Sequence, residues 1–318
     1  RRASGSFIPA ANKENRRQNF LSSPVKVITT VTSKFYRTSI ILKSLLGLFS
    51  EIFHNFVFSK KVTTLKMLQD MECPEPSGVL LGMNPEELTA LAVEAGLPRF
   101  TGKQLARWLY VTGAVRWDEM TNLPKAGRQN LSRRYRIGRK EPAGVMRSKD
   151  GTAKYLFETE DGHYVETVFI PDGERGTVCV SCQVGCKMGC RFCMTGRQGY
   201  VASLSVGDIL NQIYSLPERE RLTNIVFMGQ GEPLDNWENV NRATEVLTSA
   251  WGLAWSPRRI TISTVGLRKG LRRLLEENPC NVAVSLHHPL HGGRMELMPA
   301  EKAFPVREVV EVLREYDF

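Results

Sequence analysis

Acidic residues and methionine are scarce at the start of this 318-residue sequence. Residues 1–66 contain 2 acidic side chains against 12 lysines and arginines, and the first methionine is Met67. The net charge of +10 lies entirely in this tail, because acidic and basic residues balance in the rest of the chain. The overall charge therefore gives no reason to treat the remainder as a nucleic-acid-binding surface.

The missing methionine allows two interpretations of residues 1–66. In the first, the natural protein begins at Met67 or Met71 and the preceding residues are upstream read-through. In the second, the tail is a transit peptide, which its abundance of Arg, Ser and Thr and its few acidic residues favour. In either case we give the tail no role in the chemistry.

An uninterrupted apolar run is also absent from the most hydrophobic part of the tail. Lys43, Glu51 and His54 interrupt the apolar stretch at residues 39–58. Charged and polar side chains at these positions favour an amphipathic or interfacial helix over a membrane span. We therefore expect no stable membrane association.

Cysteines are sparse outside one short stretch. Five of the seven lie between positions 179 and 193, and the total is odd. A secreted disulfide framework is not usually distributed in this way, so the cysteines predict a reducing, cytoplasmic compartment. With 42% hydrophobic and 24% charged residues, the chain is long enough for one large domain and a smaller one.

Two helix patterns predict a helical accessory domain over residues 67–140. The segment "NPEELTALAVEAGLP" (84–98) has Pro85 in its first turn and ends at a Gly-Leu-Pro stop signal. The segment "TGKQLARWLYVTG" (101–113) has the pattern of a second helix. Basic residues scattered over this region are typical of a solvated helix face, and contact with RNA phosphates is the alternative interpretation.

Residues 141–318 have the pattern of a β-hairpin region followed by an α/β domain. Asp-Gly pairs at 150–151 and 161–162 are turn signals between alternating runs, which predicts hairpins. Apolar runs of strand length follow at 223–229, 258–264 and 281–287. Helical patterns after these runs predict a parallel sheet with right-handed crossovers, in which ligands collect at the C-terminal ends of the strands.

Three cysteines have the spacing C-x3-C-x2-C in "VGCKMGCRFCMTG", at Cys186, Cys190 and Cys193. A structural zinc site would pair Cys179 and Cys182 with the last two, but only seven residues separate the pairs, fewer than in common zinc ribbons. An iron–sulfur cluster normally takes four cysteine ligands. Three would leave one iron open to a substrate or cofactor.

This loop resembles the cluster loop of radical S-adenosylmethionine (SAM) enzymes, and its flanks narrow the resemblance. Five segments match, in order, the RlmN-type RNA adenine C2 methyltransferases: "VETVFIP" (165–171), "TVCVSCQVGCKMGCRFCMTGRQGY" (177–200), "NIVFMGQGEPLDN" (224–236), "RRITISTVG" (258–266) and "VAVSLHHP" (282–289). The resemblance runs from about residue 80 to residue 318. It implies an α/β fold, a radical SAM partial (β/α)6 barrel behind the helical accessory domain.

The resemblance also implies roles for individual residues. The cluster ligands would be Cys186, Cys190 and Cys193, the SAM-binding residues would be Gly231, Glu232, Ser263, Ser285, Leu286 and His287, and the catalytic residues would be Glu166 and Cys179. Taken alone, each has an ordinary structural explanation as a turn, a strand hydroxyl, a hydrogen-bonded histidine, a solvent-facing carboxylate or a small buried side chain.

The family's reaction follows from the same resemblance. The methyl group of SAM is first placed on a cysteine near the C-terminus, and the reduced [4Fe-4S] cluster then cleaves a second SAM to a 5′-deoxyadenosyl radical. The activated methyl group adds to C2 of adenine in 23S rRNA and tRNA. Glu166 would remove the C2 proton, and Cys179 would release the RNA by forming a disulfide. A flavodoxin or ferredoxin would supply the electrons.

Two features depart from the family pattern. Cys182 stands where the family usually has serine, which puts a competing thiol beside Cys179 and the cluster. The methyl-carrying cysteine has no counterpart, since only Cys280 follows the cluster loop. Because four of about six strand–helix units are recognisable before residue 318, we expect an incomplete product with an exposed sheet edge. Such a product would bind a cluster without methylating itself or RNA.

Two alternative functions stay open at this point. The related Cfr-type enzymes methylate C8 of adenine, and the signatures around the cluster fit both groups. A non-enzymatic zinc or RNA-binding module is the other alternative, although it would leave Gly231 and Glu232 without a purpose.

Overall fold

The structure, a computed structural model, describes Pro76 and residues 78–316. The interpretations of residues 1–66, including the apolar stretch at 39–58, concern residues outside this part. Within the described residues, no helix has both the length and the apolar character that crossing a membrane requires.

The region before residue 140 is helical, as the sequence predicts. Its helices are α1 (Pro85–Glu94), α2 (Thr101–Ala106), which continues as a π-helical segment over Arg107–Thr112, and α3 (Lys125–Ser132). A capping box starts α1: the Asn84 side chain accepts from the Glu87 amide at 2.8 Å, and the Glu87 carboxylate accepts from the Asn84 amide at 2.7 Å. This local chemistry explains why the start of the helix is readable from the sequence.

Two short strands, β1 (Gly78–Val79) and β2 (Tyr135–Arg136), pair in parallel and join the two ends of the helical region. Strands of two residues carry too little pattern to be predicted. The buried apolar residues of this region, such as Leu88 and Leu105, belong to the same core cluster as those of the large sheet. The predicted domain boundary between residues 140 and 141 stays a prediction.

Antiparallel strands occupy the region predicted to form hairpins. They are β3 (Gly144–Arg147), β4 (Ala153–Glu158), β5 (Tyr164–Asp172) and β6 (Arg175–Cys179). Turns form at both predicted Asp-Gly pairs, and the Asp150 carboxylate accepts from the Thr152 amide at 3.0 Å. A further hairpin of β7 (Gln183–Gly185) and β8 (Tyr200–Ser203) flanks the cysteine loop.

Parallel strands extend the same sheet beyond β6. They are β9 (Asn224–Phe227), β10 (Ile260–Thr264) and β11 (Asn281–Val284). The strand order β11-β10-β9-β6-β5-β4-β3 makes one seven-stranded mixed sheet. The strands predicted at 223–229, 258–264 and 281–287 are therefore confirmed as parallel strands, and β6, the strand before the cysteine loop, pairs in parallel with the first of them. The hairpin strands β3 to β5 complete the sheet on the other side of β6.

Helices connect or follow the parallel strands. They are α4 (Met194–Gln198), α5 (Val206–Tyr214), α6 (Trp237–Thr248), α7 (Arg268–Glu277), α8 (His291–Leu297) and α9 (Val306–Leu313). One row of side chains across the sheet, Phe169, Val178, Ile225 and Ile260, is at most 1% exposed and packs in the core with helix residues. Burying each large apolar side chain stabilises the fold by about 1.5–3 kcal/mol.

Candidate active site

The other face of the sheet, here called the inner face, carries several of the predicted site residues. The strand register aligns Val168, Cys179, Val226 and Thr261 in one row across β5, β6, β9 and β10. These residues neighbour the core row in sequence, so their side chains point the opposite way. Cys179 therefore lies on the inner face, at the C-terminal end of β6.

Period-two alternation places three more predicted residues on this face. Glu166 precedes Val168 by two residues and Ser263 follows Thr261 by two, so both share the inner face. Ser263 is paired with Ala283, and Ser285 follows two residues later, directly after the end of β11, where its amide donates to the Thr264 carbonyl at 2.8 Å. The register thus brings together the residues at the carboxyl ends of the parallel strands.

Glu166 is held by an ion pair. Because β5 runs antiparallel to β6, Glu166 lies level with Ser181, whose hydroxyl donates to the Glu166 carbonyl at 2.6 Å. Lys154 Nζ on β4 donates to Glu166 Oε1 at 2.6 Å, and the glutamate side chain is 43% exposed. The carboxylate is therefore accessible, as the strand pattern alone predicts, and a cation fixes its direction.

Burial keeps two of the thiols near this face protonated. It raises the pKa of Cys179 to about 12 and that of Cys182 well above its usual range. Cys182 is 2% exposed and belongs to the main core cluster, whereas Cys179 is outside that cluster. Cys182 thus packs in the main core, whereas Cys190 packs in a separate small cluster beneath the loop, which makes Cys182 the weaker candidate ligand.

The cysteine loop rests on a small apolar cluster of its own. This cluster, here called the loop core, consists of Cys190, Val265, Met298 and Ala300. Burial raises the pKa of Cys190 to about 11, and the charges of Cys193 and Cys186 add to the shift. The three thiolates therefore repel one another when ionised, and a bound cation would relieve this repulsion.

The donor set of the loop fits an iron–sulfur cluster. Thiolates are the ligands that such clusters prefer, and the three cysteines of the loop are free of disulfides. Among the residues that the structure describes, no three His, Cys, Asp or Glu side chains stand in a ready-made metal-binding geometry. The fit thus rests on the chemistry of the ligands and on the mutual electrostatic influence of the three thiols.

Gly231 and Glu232 lie at the end of β9, where the backbone turns tightly against β7. Gly231 has φ +104°, and a Cβ there would come within 2.7 Å of the Gln183 Cβ. The Glu232 amide donates to Gln183 Oε1 at 2.9 Å. Only glycine fits this close approach at a positive φ.

The Glu232 carboxylate is directed into the protein. Oε1 accepts from the Thr264 hydroxyl at 2.6 Å and from the Leu234 amide at 3.1 Å, and Oε2 accepts from the Val265 amide at 2.9 Å. The residue is 3% exposed, and burial raises its pKa to about 7 against these hydrogen bonds. Its side chain therefore links the segment after β9 to the end of β10 through hydrogen bonds.

We predict that Glu232→Gln changes the pH dependence of stability. The folded pKa of about 7 exceeds the ordinary value of 4.5, so the contribution of the wild-type carboxyl is full below pH 4.5 and is lost as pH rises to about 7. The unfolding free energy of the wild type should fall by about 3 kcal/mol relative to the variant over this interval. Urea unfolding at a series of pH values measures it, with the exposed Glu311→Gln as control. Parallel wild-type and Glu232→Gln profiles would contradict the assigned pKa.

The end of β11 faces the cysteine loop. Leu286 is 43% exposed, and His287 has φ +53°. The His287 ring lies 4.6 Å, centroid to centroid, from the ring of Phe192, the residue before Cys193. The structure thus brings the predicted SAM-binding end of β11 into contact with the predicted cluster loop. Cys280 precedes β11, at the opposite end of that strand, and does not join the site.

Comparison with known proteins agrees with this arrangement. The family model for the Radical SAM superfamily matches residues 180–318, and the model for the Ribosomal RNA large subunit methyltransferase N-terminal domain matches residues 79–137. The "Probable dual-specificity RNA methyltransferase RlmN" of Bacteroides thetaiotaomicron is 56% identical over 239 residues, which are 75% of this chain and 69% of that protein. The chain belongs to the RlmN family.

Two further relatives extend the likeness within the RlmN family and its superfamily. The "Dual-specificity RNA methyltransferase RlmN" of Syntrophus aciditrophicus is 40% identical over 238 residues, covering 74% of this chain and 68% of that protein. A crystal structure of a radical SAM methyltransferase from Sphaerobacter thermophilus has 39% sequence identity and a TM-score of 0.71, covering 75% of this chain and 72% of that chain.

Membership of the RlmN family confirms the predicted fold and class. The chain is a radical SAM methyltransferase with a partial barrel core. This excludes the alternative that it is a non-enzymatic zinc or RNA-binding module. The Radical SAM superfamily uses SAM and a [4Fe-4S] cluster. The assignment of individual residues to these groups stays a prediction.

Sequence reasoning missed a buried residue that holds the strands of the RlmN-family site in place. Gln212 on α5 is fully buried: its Oε1 accepts from the Thr167 hydroxyl and the Ser181 amide, both at 2.8 Å, and its Nε2 donates to the Ser181 carbonyl at 2.9 Å. It thereby fixes the strands that carry Glu166 and Cys179. A signal was available, because this glutamine lies among buried apolar residues of an amphipathic helix.

Proposed function

We propose that the chain carries the catalytic core of an enzyme that transfers a methyl group from SAM to C2 of adenine in 23S rRNA and tRNA. The observation that carries the proposal is that Glu166 and Cys179 lie on adjacent strands of the inner face, where Cys179 is paired with Val168, two residues after Glu166. A carboxylate and a thiol placed together in this way match the proton acceptor and the resolving cysteine of the RlmN family.

The cysteine loop is the proposed cluster site. Cys186, Cys190 and Cys193 would supply three thiolates to a [4Fe-4S] cluster and leave one iron for the amino and carboxylate groups of SAM. When reduced, such a cluster supplies the electron that cleaves SAM. The loop core supports the proposal, since it packs Cys190 and shields it from water.

The strand ends around the loop are the proposed SAM site. Ser263 and Ser285 would present hydroxyls from the inner face, and Leu286 and His287 would continue the site towards the cysteine loop. Ligands of parallel α/β folds collect at this edge of the sheet.

Gly231 and Glu232 would contact SAM through the backbone. The Glu232 carboxylate already accepts three hydrogen bonds from protein groups, so its side chain has little remaining capacity for a ligand. Its proposed role is to fix the ends of β9 and β10 at the spacing that the ligand requires.

Glu166 and Cys179 would act on the RNA. Glu166 takes the proton from adenine C2, with Lys154 holding the carboxylate in place. Once the adduct has also given up its unpaired electron to an acceptor, for which the oxidised cluster would serve, the Cys179 thiol would attack the sulfur of the methyl-carrying cysteine and release its own proton. A disulfide bond forms, the bond from that sulfur to the methylene carbon on RNA breaks, and its electron pair takes up a proton to complete the methyl group.

The proposal includes the RNA partner, the cellular location and the electron donor of the enzyme. Lys103 and Arg107 lie one helical turn apart, and both are exposed, which supports RNA contact by the helical region. The described cysteines are all free thiols, which supports a cytoplasmic location. A flavodoxin or ferredoxin would reduce the cluster.

Transfer of isotope-labelled methyl from SAM to RNA tests the proposed function. The chain is assayed anaerobically with 23S rRNA and tRNA, alone and joined to the C-terminal segment of the Bacteroides thetaiotaomicron relative, because the methyl-carrying cysteine has no match here. We expect 2-methyladenosine from the joined form, and SAM cleavage without RNA methylation from the chain alone. Formation of 8-methyladenosine would establish the Cfr-type alternative instead, and a cluster-loaded joined form that methylates neither position would refute the proposal.

A further inference from the structure

Arg294 is a buried arginine that has no role in the proposed reaction. It lies on α8, and its side chain is 0% exposed. A buried guanidinium is costly to the fold unless its charge is paired and its donors are satisfied. Its partners therefore indicate what this residue is placed to hold.

The guanidinium joins the ends of two neighbouring strands. Nη2 donates to the Val265 carbonyl after β10 at 2.8 Å and to the Ser285 carbonyl after β11 at 3.0 Å. Nε donates to the Leu286 carbonyl at 3.2 Å. One planar side chain thus sets the spacing and direction of two strand ends that line the proposed SAM site.

Glu301 completes a buried pair with this arginine. It is also 0% exposed, and its carboxylate accepts from Arg294 Nη1. Both carboxylate oxygens also accept from the Val306 amide, at 3.0 and 3.1 Å. His291 Nδ1 lies 2.8 Å from Glu301 Oε1. The pair therefore ties α8 to the start of α9 and makes a rigid support beside the ends of β10 and β11.

The same support carries the cysteine loop. The Arg191 amide in that loop donates to the Leu297 carbonyl at the end of α8, at 2.9 Å. Cys190 packs in the loop core, whose other members come from the end of β10 and the segment after α8. His287, the residue after Leu286, contacts the Phe192 ring. The pair thus lies beneath both the proposed cluster loop and the proposed SAM-binding strand end.

We propose that Arg294, through its pair with Glu301, is a positioning residue that fixes the cysteine loop and the end of β11 relative to each other. The inference rests on the proposed function, because it assigns those two elements to the cluster and to SAM. Arg294 contacts neither ligand in this account. It acts through the carbonyls of Ser285 and Leu286 and through the loop core.

Arg294→Lys tests the proposal, because lysine keeps the charge but cannot donate in a fork to three carbonyls. Arg139→Lys is the matched control: Arg139 also donates to backbone carbonyls, those of Gly113 and Tyr214, but it lies in the helical region. Glu301→Gln is the second variant in case Arg294→Lys does not fold, since the amide oxygen still accepts from the guanidinium.

We expect Arg294→Lys to bind iron and sulfide like the wild type but to need about tenfold more SAM to change the electron paramagnetic resonance spectrum of the reduced cluster, since about one hydrogen bond of positioning energy is lost. In the cluster-free protein, iodoacetamide should label Cys190 and Cys193 several-fold faster than in the wild type, while Cys182 should be unaffected. Glu301→Gln should shift both readouts in the same direction by less, and Arg139→Lys should lower thermal stability alone.

Equal SAM titrations and equal labelling rates in Arg294→Lys and Arg139→Lys would overturn the positioning role and leave Arg294 a purely structural residue. The labelling of cluster-free protein separates the two proposals. If the wild type bound no cluster but Arg294→Lys still exposed the loop thiols, the proposed function would fail while the support of the loop by Arg294 would stand.

Discussion

Replacing Cys186, Cys190 or Cys193 by alanine should reduce bound iron and reductive SAM cleavage to background. Each cysteine supplies one of three protein thiolates, and an iron deprived of its thiolate has no other protein ligand in the proposed site. Iron and acid-labile sulfide are measured after anaerobic reconstitution, and 5′-deoxyadenosine is measured after reduction in the presence of SAM. The effect should be the same for all three positions.

Cys182→Ser is the matched control for these variants. Cys182 lies close to the loop, but it belongs to the main core cluster and burial keeps its thiol protonated. A serine hydroxyl there costs stability by about 1–3 kcal/mol if it finds no partner, but cluster content and SAM cleavage should be retained. Loss of iron in Cys182→Ser to the extent seen in Cys190→Ala would show that the ligand set is wrongly assigned.

Glu166→Gln should lower RNA methylation by about a thousandfold, the scale of losing a general base, while leaving cluster content and SAM cleavage unchanged. The amide still accepts a hydrogen bond from Lys154, so local structure is retained, but it cannot take the C2 proton. The reaction should stall after the carbon radical has added to the base. Labelled-methyl transfer is measured in the joined form used to test the proposed function.

Glu158→Gln provides the control, because Glu158 is an exposed carboxylate at the end of the adjacent strand β4. It should methylate RNA at the wild-type rate. Cys179→Ala should instead trap a covalent adduct of the protein with RNA, visible as a band of reduced mobility under denaturing conditions. Rapid turnover in Glu166→Gln or Cys179→Ala would remove that residue from the mechanism.

Local chemistry explains the parts of the fold that the sequence predicts. Asn84, Pro85 and Glu87 start α1 through contacts within one turn, and the Asp-Gly pairs bend the chain within four residues. The parallel strands are recognisable because buried strands read as short apolar runs. The three loop cysteines lie within eight residues, and each flanking segment is a continuous stretch of sequence. The cluster and SAM sites could therefore be predicted from the sequence.

Contacts between distant segments explain what the sequence did not predict. The direction of the Glu232 carboxylate depends on Thr264, the last residue of β10, and on Val265, the residue after it. Arg294 becomes informative only when the fold shows that its polar groups are buried and which carbonyls they bind. The joining of the hairpin strands and the parallel strands into one sheet depends on the parallel pairing of β6 with β9, which lie more than 40 residues apart in sequence, so no local pattern specifies it.

The central claim is that the Cys186, Cys190 and Cys193 loop holds a [4Fe-4S] cluster with one iron open to SAM. Electron paramagnetic resonance of the anaerobically reconstituted, reduced protein, recorded before and after addition of SAM, tests this claim most directly. The account predicts about four irons and four sulfides per chain and a spectrum that changes when SAM binds. A protein that instead holds one zinc and no iron, or a cluster whose spectrum is unaffected by saturating SAM, would contradict it.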